Sequence, residues 1–371
     1  MREIGSDFYL HESDIELLDS DHFTPSCTVD SAPHTMPLSL GRDAIGLCLD
    51  DLTDDAATAL VPAYTCKSVL APFLARGYRL VFYDVDACFR VAMSTWNQCI
   101  EDYDVDVLLF HPYFGFDTVI LDEPWCHDEV KVIYDATQSW SSGWTYDFAD
   151  YEVVSLRKWG PLPDGAYATK YKGRFAVNAP SGQDRELLRY VMDAYRKKAR
   201  YLDHHLGDKS AVLAAFHQVK RHIADGRRMH RMSDLSQHLL TVWEREQRWE
   251  QIAAKRRANY RYLVEHLDWE YVGDPYFVLG DAVPLYLPFR VKRGTRGKWQ
   301  QAFAKHDVYC PIIWPMSDPV REASIRAATR DHYEGCLCFP IDQRYGEDDM
   351  ARIVHVLRAI VRDDALGCFP N

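Results

Sequence analysis

Apolar runs alternate with helix-period stretches through the first half of the chain. In SLGRDAIGLCLDDL, residues 39 to 52, the apolar positions Ala44, Ile45, Cys48 and Leu52 recur at helical spacing directly after Gly41, so a loop opens there into a helix. TALVPA then reads as a short buried strand, TCKSVLAPFLARG as a helix stopped by Gly77, and YRLVFYDVD as a second strand, which together make a βαβ unit. Further strands lie in DVDVLLFHPYFG, ending near Phe110 and His111, in EVKVIYDATQSW, ending at Asp135, and in YEVVSLRK, ending at Ser155. Ligands of open α/β sheets collect beyond the carboxyl ends of the strands, which makes His111, Asp135 and Lys158 candidates for one crevice.

The second half changes period. After another strand in GAYATKYKG, helices are expected from about Asp184 to about His205 and from about Lys209 to about His222. A stronger helix signal starts at Asp234, taken as N-cap with Gln237 reaching back, and runs to about Leu267, unusually long for a globular helix. Such a helix commonly crosses between domains. AVPLYLPFRV, the helix around RGKWQQAFAKHD, VYCPIIWP and a last helix in EDDMARIVHVLRAIV then suggest a smaller α+β domain. The expected division is a large domain over residues 1–235, including an N-terminal segment 1–38 of unassigned role, and an inter-domain helix with a small C-terminal domain over residues 236–371.

Length and composition agree with two packed domains: 371 residues, 47% apolar and 13% aromatic, exceed what one core usually holds. A net charge of -12 sets the overall field against nucleic acid and anionic membranes, and the one dense basic run, VKRHIADGRRMHR, reads as the solvated face and end of a helix. No segment has the apolar length of a membrane span or the apolar core of a signal peptide, so a soluble, cytoplasmic protein is expected. Ten cysteines without a CxxC pair read as reduced thiols, and the histidine spacings do not match HExxH, so no metal is expected.

The chain has no GxGxxG, Walker, GxSxG or kinase motif. What it offers is an aspartate and a lysine at consecutive strand ends. A pyridoxal phosphate site needs a lysine amine for a Schiff base, a carboxylate on the pyridine nitrogen and donors for the phosphate. Lys158, Asp135 and the loop before the Gly41 helix could supply these. Position alone equally allows a solvated strand-end lysine, a turn aspartate and a simple helix-entry glycine.

ALVPAYTCKSVLAPFLARGYRLVFYDVD, VIYDATQSW, SLRKWGPLPDG, KRRANYRYLVEHL and FPIDQRYGEDDM resemble, in this order, the landmarks of the DegT/DnrJ/EryC1/StrS family of fold-type-I pyridoxal phosphate enzymes, mostly sugar aminotransferases. The resemblance spans about Gly41 to about Val361. It implies an α/β PLP-dependent transferase fold of type I, with a mostly parallel central sheet in a large domain plus a smaller α+β C-terminal domain, and pyridoxal 5'-phosphate as cofactor. By motif, Lys158 is similar to the Schiff-base lysine and proton shuttle, its pKa lowered by burial and the ring nearby, and Asp135 to the aspartate on the pyridinium nitrogen. Gln138 resembles the glutamine near the ring oxygen and Ser155 the serine on the phosphate. Gly41, Arg42 and Asp43 occupy the family's Gly-Thr phosphate loop, where helix-start amides hold the dianion.

Departures accompany the likeness. Arg42 and Asp43 replace small hydroxyl residues, and an acidic Asp43 fits beside a phosphate only if its side chain turns away. Cys66 stands where the family commonly has a ring-stacking aromatic, which leaves Tyr64 or His111 for that face. The interval from Ser155 to Lys158 is short, and PLPDG replaces a glycine-rich run. Retention of lysine rather than histidine implies transfer of an amino group, with glutamate or glutamine as donor and a nucleotide-linked keto sugar as acceptor, in polysaccharide or secondary-metabolite biosynthesis. Trp314, Arg344 and Tyr345 are candidate substrate contacts, set against plain packing or surface roles. The family habit implies a homodimer, with Arg231 or Asn259 serving the neighbouring subunit. A dehydratase or other lyase would share Lys158 and Asp135, and a non-catalytic binding protein would share the scaffold.

Overall fold

A computed structural model describes residues 3–11, 34–52, 58–226 and 228–364. The architecture is α/β with a mostly parallel central sheet, as the alternation of apolar runs and helical stretches predicts. The chain forms two compact units, residues 1–6, 54–149 and 247–371 in the first and residues 7–53 and 150–246 in the second.

The first unit carries four parallel strands in the order Lys131–Asp135, Val107–Phe110, Thr58–Pro62, Arg79–Tyr83. Val107–Phe110 is buried at every position and Thr58–Pro62 at all but the first, which is what a parallel sheet covered on both faces requires. The helix Lys67–Ala75 makes the crossover between the strands on either side of it, with Gly77 at φ +78 just beyond its end. A smaller antiparallel sheet, Gly273–Pro275, Leu287–Val291, Cys336–Phe339, belongs to the same unit. The buried Phe289 and Phe339 rings stack at 4.6 Å there, and Trp299 and Phe303 of the helix Arg296–Ala304 are fully buried.

The second unit has three antiparallel strands, Thr35–Leu38, Ala166–Lys170 and Tyr151–Ser155, with the helix Gly41–Asp51. Its helices Arg185–Asp203 and Lys209–Asp225 pack on each other through faces that include Val191, Tyr195, Val212 and Phe216. Asp184 caps the first by accepting from Leu187 N–H at 2.9 Å.

One expectation fails. The long helix is two helices, Asp234–Arg245 and Arg248–His266, broken where Gln247 takes the left-handed conformation at φ 52. The break coincides with the boundary between the units. The cap is Ser233 rather than Asp234, its hydroxyl accepting from Ser236 N–H at 3.1 Å, while Asp234 opens the first turn and receives Arg231.

Candidate active site

In the first unit, the register pairs Leu60 with Leu108 and Phe110 with Tyr134, so three neighbouring parallel strands end at one level. That carboxyl edge carries Tyr64, Thr65 and Cys66 after the first strand, His111 after the second, and Asp135 and Gln138 at the third. Asp135 is buried, and its carboxylate caps a short turn by accepting from Thr137 N–H at 2.9 Å. Gln138 is buried too, and its Oε1 accepts from Phe114 N–H at 2.7 Å, which leaves its amide NH2 as its donor group.

His111 is enclosed. Its Nε2 lies 3.1 Å from Thr65 Oγ1, and its buried Nδ1 has no hydrogen-bond partner among the described residues. Burial pushes its pKa down to about 3, so the ring is neutral at ordinary pH. Tyr64 is fully buried in an aromatic cluster with Tyr333 at 4.7 Å, Phe89 at 5.1 Å and Trp314 at 5.6 Å between ring centres. Trp314 also meets His111 at 5.5 Å and is half-buried, so it is the ring of this group that reaches towards solvent. Cys66, in the position of a stacking aromatic, serves as the N-cap of Lys67–Ala75, its sulfur accepting from Ser68 N–H at 3.5 Å.

The loop that bears Tyr64 and Thr65 is fixed from elsewhere in the chain. Tyr333 of the helix Ala327–Gly335 donates its hydroxyl to Ala63 O at 2.8 Å and accepts from Thr65 N–H at 3.1 Å. Sequence inspection did not find Tyr333. Its signal is a lone tyrosine on a short helix, which means nothing until the helix is placed.

In the second unit, Ser155 ends its strand and Lys158 ends the short turn Leu156–Lys158 that follows. Lys158 is exposed while Trp159 and Gly160 beside it are buried, so the burial expected of this lysine is not found. The turn is anchored on its far side. A Cβ on Gly160 would sit 2.3 Å from the Trp243 ring, and Asp164 accepts from both the hydroxyl of Ser233 at 2.6 Å and its N–H at 3.0 Å. Gly165, at φ +131, donates to Ser39 O at 2.7 Å. The PLPDG segment thus ties the Lys158 turn to the residues just ahead of Gly41 and to the Asp234 helix.

Gly41 begins its helix behind Leu40, which offers the first-turn amides no side-chain cap. A Cβ on Gly41 would lie 3.1 Å from Ser155 Cβ and 3.7 Å from its hydroxyl, so the glycine admits a close approach of helix start and strand end. Backbone amides at a helix start beside a serine are the kind of group that favours an anion. Asp43 is buried, with His230 N–H donating to it at 3.4 Å, and burial pushes its pKa up to about 7 despite that bond and the nearby Arg42.

Other candidates hold the fold. Arg344 forms a two-point pair with Asp342, at 2.7 and 2.9 Å, and Tyr345 is buried with its hydroxyl accepting from Gly5 N–H at 2.7 Å. These are the packing roles set against substrate contact. Asn259 is buried and spends its amide on the carbonyls of Ile341, Asp342 and Tyr345, which corrects its assignment to a neighbouring subunit. Arg231 donates to Asp234 at 2.7 Å and to Ser181 O at 3.2 Å in its own chain. Among the described residues no cluster of three or more His, Cys, Asp or Glu could hold a metal ion, and no helix is long and apolar enough to cross a membrane.

No protein-family model and no curated protein sequence matches the chain. Solved structures match its fold over nearly its whole length. A DegT DnrJ EryC1 StrS aminotransferase from Brucella abortus is 14% identical, with 95% of this chain and 91% of that one covered at a TM-score of 0.59. The sugar aminotransferase CalS13 from Micromonospora echinospora is 14% identical over 88% and 87%, at 0.58. The PLP form of Spr1654 from Streptococcus pneumoniae is 13% identical over 98% and 99%, at 0.66. The chain therefore has the fold of these aminotransferases.

Proposed function

We propose that the protein is a pyridoxal phosphate-dependent aminotransferase that moves an amino group from an amino acid, glutamate or glutamine, to a keto sugar carried on a nucleotide. The observation that supports the reading is the close approach of Gly41, at a helix start, to Ser155, on a fold that solved aminotransferases share. The cofactor, when bound, supplies an electron-accepting ring that weakens bonds to the substrate's amino-bearing carbon.

The chain's own residues then have separable tasks. Lys158 would hold the cofactor through its Nζ and would carry a proton to and from the substrate's reacting carbon. Asp135 would keep the pyridine nitrogen protonated. Gln138 donates its free amide N–H towards the ring oxygen, its other end being fixed by Phe114. Gly41, Arg42 and Ser155 would bind the phosphate, while the Asp43 carboxylate accepts from His230 N–H. His111 would supply a neutral ring to the cofactor and Trp314 a flat apolar surface to the substrate. Tyr64 and Cys66 shape the wall behind them, and Arg344 and Tyr345 support the site through the loop they hold. The working unit is a cytoplasmic homodimer.

The test is a coupled assay for 2-oxoglutarate released from glutamate in the presence of nucleotide-linked keto sugars. Release that depends on both the acceptor and Lys158 supports amino transfer. Turnover of the sugar without any keto acid released would assign a lyase instead.

A further inference from the structure

Thr65 and His111 stand together at the carboxyl edge of the first unit's sheet, and the proton between them can be placed. Thr65 is fully buried, His111 is 4% exposed, and Thr65 Oγ1 lies 3.1 Å from His111 Nε2. The imidazole is the one partner that the threonine hydroxyl has among the described residues. If Nε2–H donated to that oxygen, two buried groups would go unmet, the hydroxyl proton and a bare Nδ1. With the hydroxyl donating to Nε2 instead, the ring proton sits on Nδ1, the nitrogen nearer the residue's own carbonyl, and that carbonyl is the one group that favours protonation of the ring. Unmet buried donors are costly, so the second arrangement wins.

A hydroxyl that donates to Nε2 also occupies the lone pair that a second proton would need, so it acts with burial to keep the ring neutral. The rings facing His111 are Tyr113 at 4.6 Å, whose hydroxyl donates to Tyr64 O at 2.8 Å, and Trp314 at 5.5 Å, and no charged side chain contributes to the shift. Thr65 is held in its turn. The Tyr333 hydroxyl accepts from Thr65 N–H at 3.1 Å and donates to Ala63 O at 2.8 Å. Its helix, Ala327–Gly335, is fastened to the residues after the strand Arg79–Tyr83, where Thr329 donates to Asp84 at 2.6 Å and His332 Nε2 lies 2.7 Å from Asp86 O. The backbone on both sides of Tyr64 is thereby fixed, and the Thr65 side chain with it.

We propose that Thr65 is a positioning residue for His111: its hydroxyl donates to Nε2 and fixes the imidazole as the Nδ1–H tautomer, while Tyr333 holds Thr65 in place to do so. The use made of that ring rests on the pyridoxal phosphate reading above. A neutral imidazole can lie against a pyridine ring that Asp135 would keep protonated, whereas an imidazolium would be repelled by it. Thr65 and Tyr333 act through His111.

The experiment uses the full chain with nitrogen-labelled histidine rings, as wild type, Thr65→Val, Thr65→Ser and Tyr333→Phe, first alone and then with pyridoxal phosphate. Long-range proton–nitrogen correlation spectra report which ring nitrogen carries the proton, and the signals lost in His111→Asn identify the ring. The wild type should carry the proton on Nδ1 from about pH 8 down to about pH 5. The ratio of the Nδ1–H to the Nε2–H form should fall about five- to ten-fold in Thr65→Val, recover in Thr65→Ser and lie between in Tyr333→Phe. A wild-type proton on Nε2, or a Thr65→Val ratio equal to that of the wild type, would overturn the proposal. The wild-type spectrum tests the tautomer by itself, so a Thr65→Val chain that fails to fold leaves the proposal open to refutation. Pyridoxal phosphate should shift the His111 signals and leave the proton on Nδ1. A tautomer that follows Thr65 as expected, with signals indifferent to pyridoxal phosphate, would uphold the role of Thr65 and defeat the functional reading of the ring instead.

Discussion

Asp43 offers a direct quantitative test of how the helix start is built. Its carboxyl is buried, and its pKa is raised from 3.8 to about 7, with desolvation the main cause and Asp184 a smaller one, against the opposing effects of His230 N–H, Leu40 and Arg42. Between those two values the unfolded chain releases the proton while the folded chain retains it. Stability therefore falls as pH rises through that interval and stays low above it. A shift of roughly three units corresponds to about 4 kcal/mol lost at pH 8 relative to acid. Asp43→Asn cannot ionise, yet it keeps an oxygen for His230 N–H. Urea unfolding at pH steps from 5 to 8.5 should show the variant gaining on wild type by about 1 kcal/mol per pH unit up to pH 7, then levelling. Asp184, with His222 at 2.8 Å and His230 at 3.9 Å, titrates in both proteins and largely cancels in the difference. Parallel curves for the two proteins across the whole range would refute the burial argument.

Gly160→Ala drives a methyl into the Trp243 ring, and an unfolding free energy about 1–3 kcal/mol below wild type is expected in denaturant titration. Tyr333→Phe removes a hydroxyl that serves both Ala63 O and Thr65 N–H. It should cost about 1–3 kcal/mol in the same titration, with a weaker donor-substrate KM effect than Trp314→Ala. Gly41→Ala meets Ser155 at 3.1 Å without backbone strain, so thermal scans should show a modest loss of stability while equilibrium titration shows a clear drop in affinity for pyridoxal phosphate.

The strands of the central sheet were legible because a parallel sheet buries both faces. VLLF, followed by His111, and the VIY of KVIYD, closing on Asp135, carry that demand in apolar runs. The two-residue strands Val91–Ala92 and Val119–Ile120 are too short to leave a pattern, and the helix Met93–Tyr103 starts behind Ala92 without a side-chain cap to announce it. TVWEREQRWEQI reads straight through the break at Gln247, because no glycine or proline marks it. At the site, residue types at strand ends could be read, whereas their surroundings could not. That Asp164 fixes the turn after Lys158 and that Tyr333 holds the Thr65 loop are facts about distant segments brought together by folding.

The central claim is that Lys158 binds the aldehyde of pyridoxal phosphate. The purified chain incubated with the cofactor should be treated with borohydride, followed spectroscopically, digested and mapped. A visible absorption band that borohydride abolishes is expected, with the reduced adduct confined to the peptide containing Ser-Leu-Arg-Lys and absent from Lys158→Ala. An adduct spread over other lysines, or the same band persisting in Lys158→Ala, would contradict it.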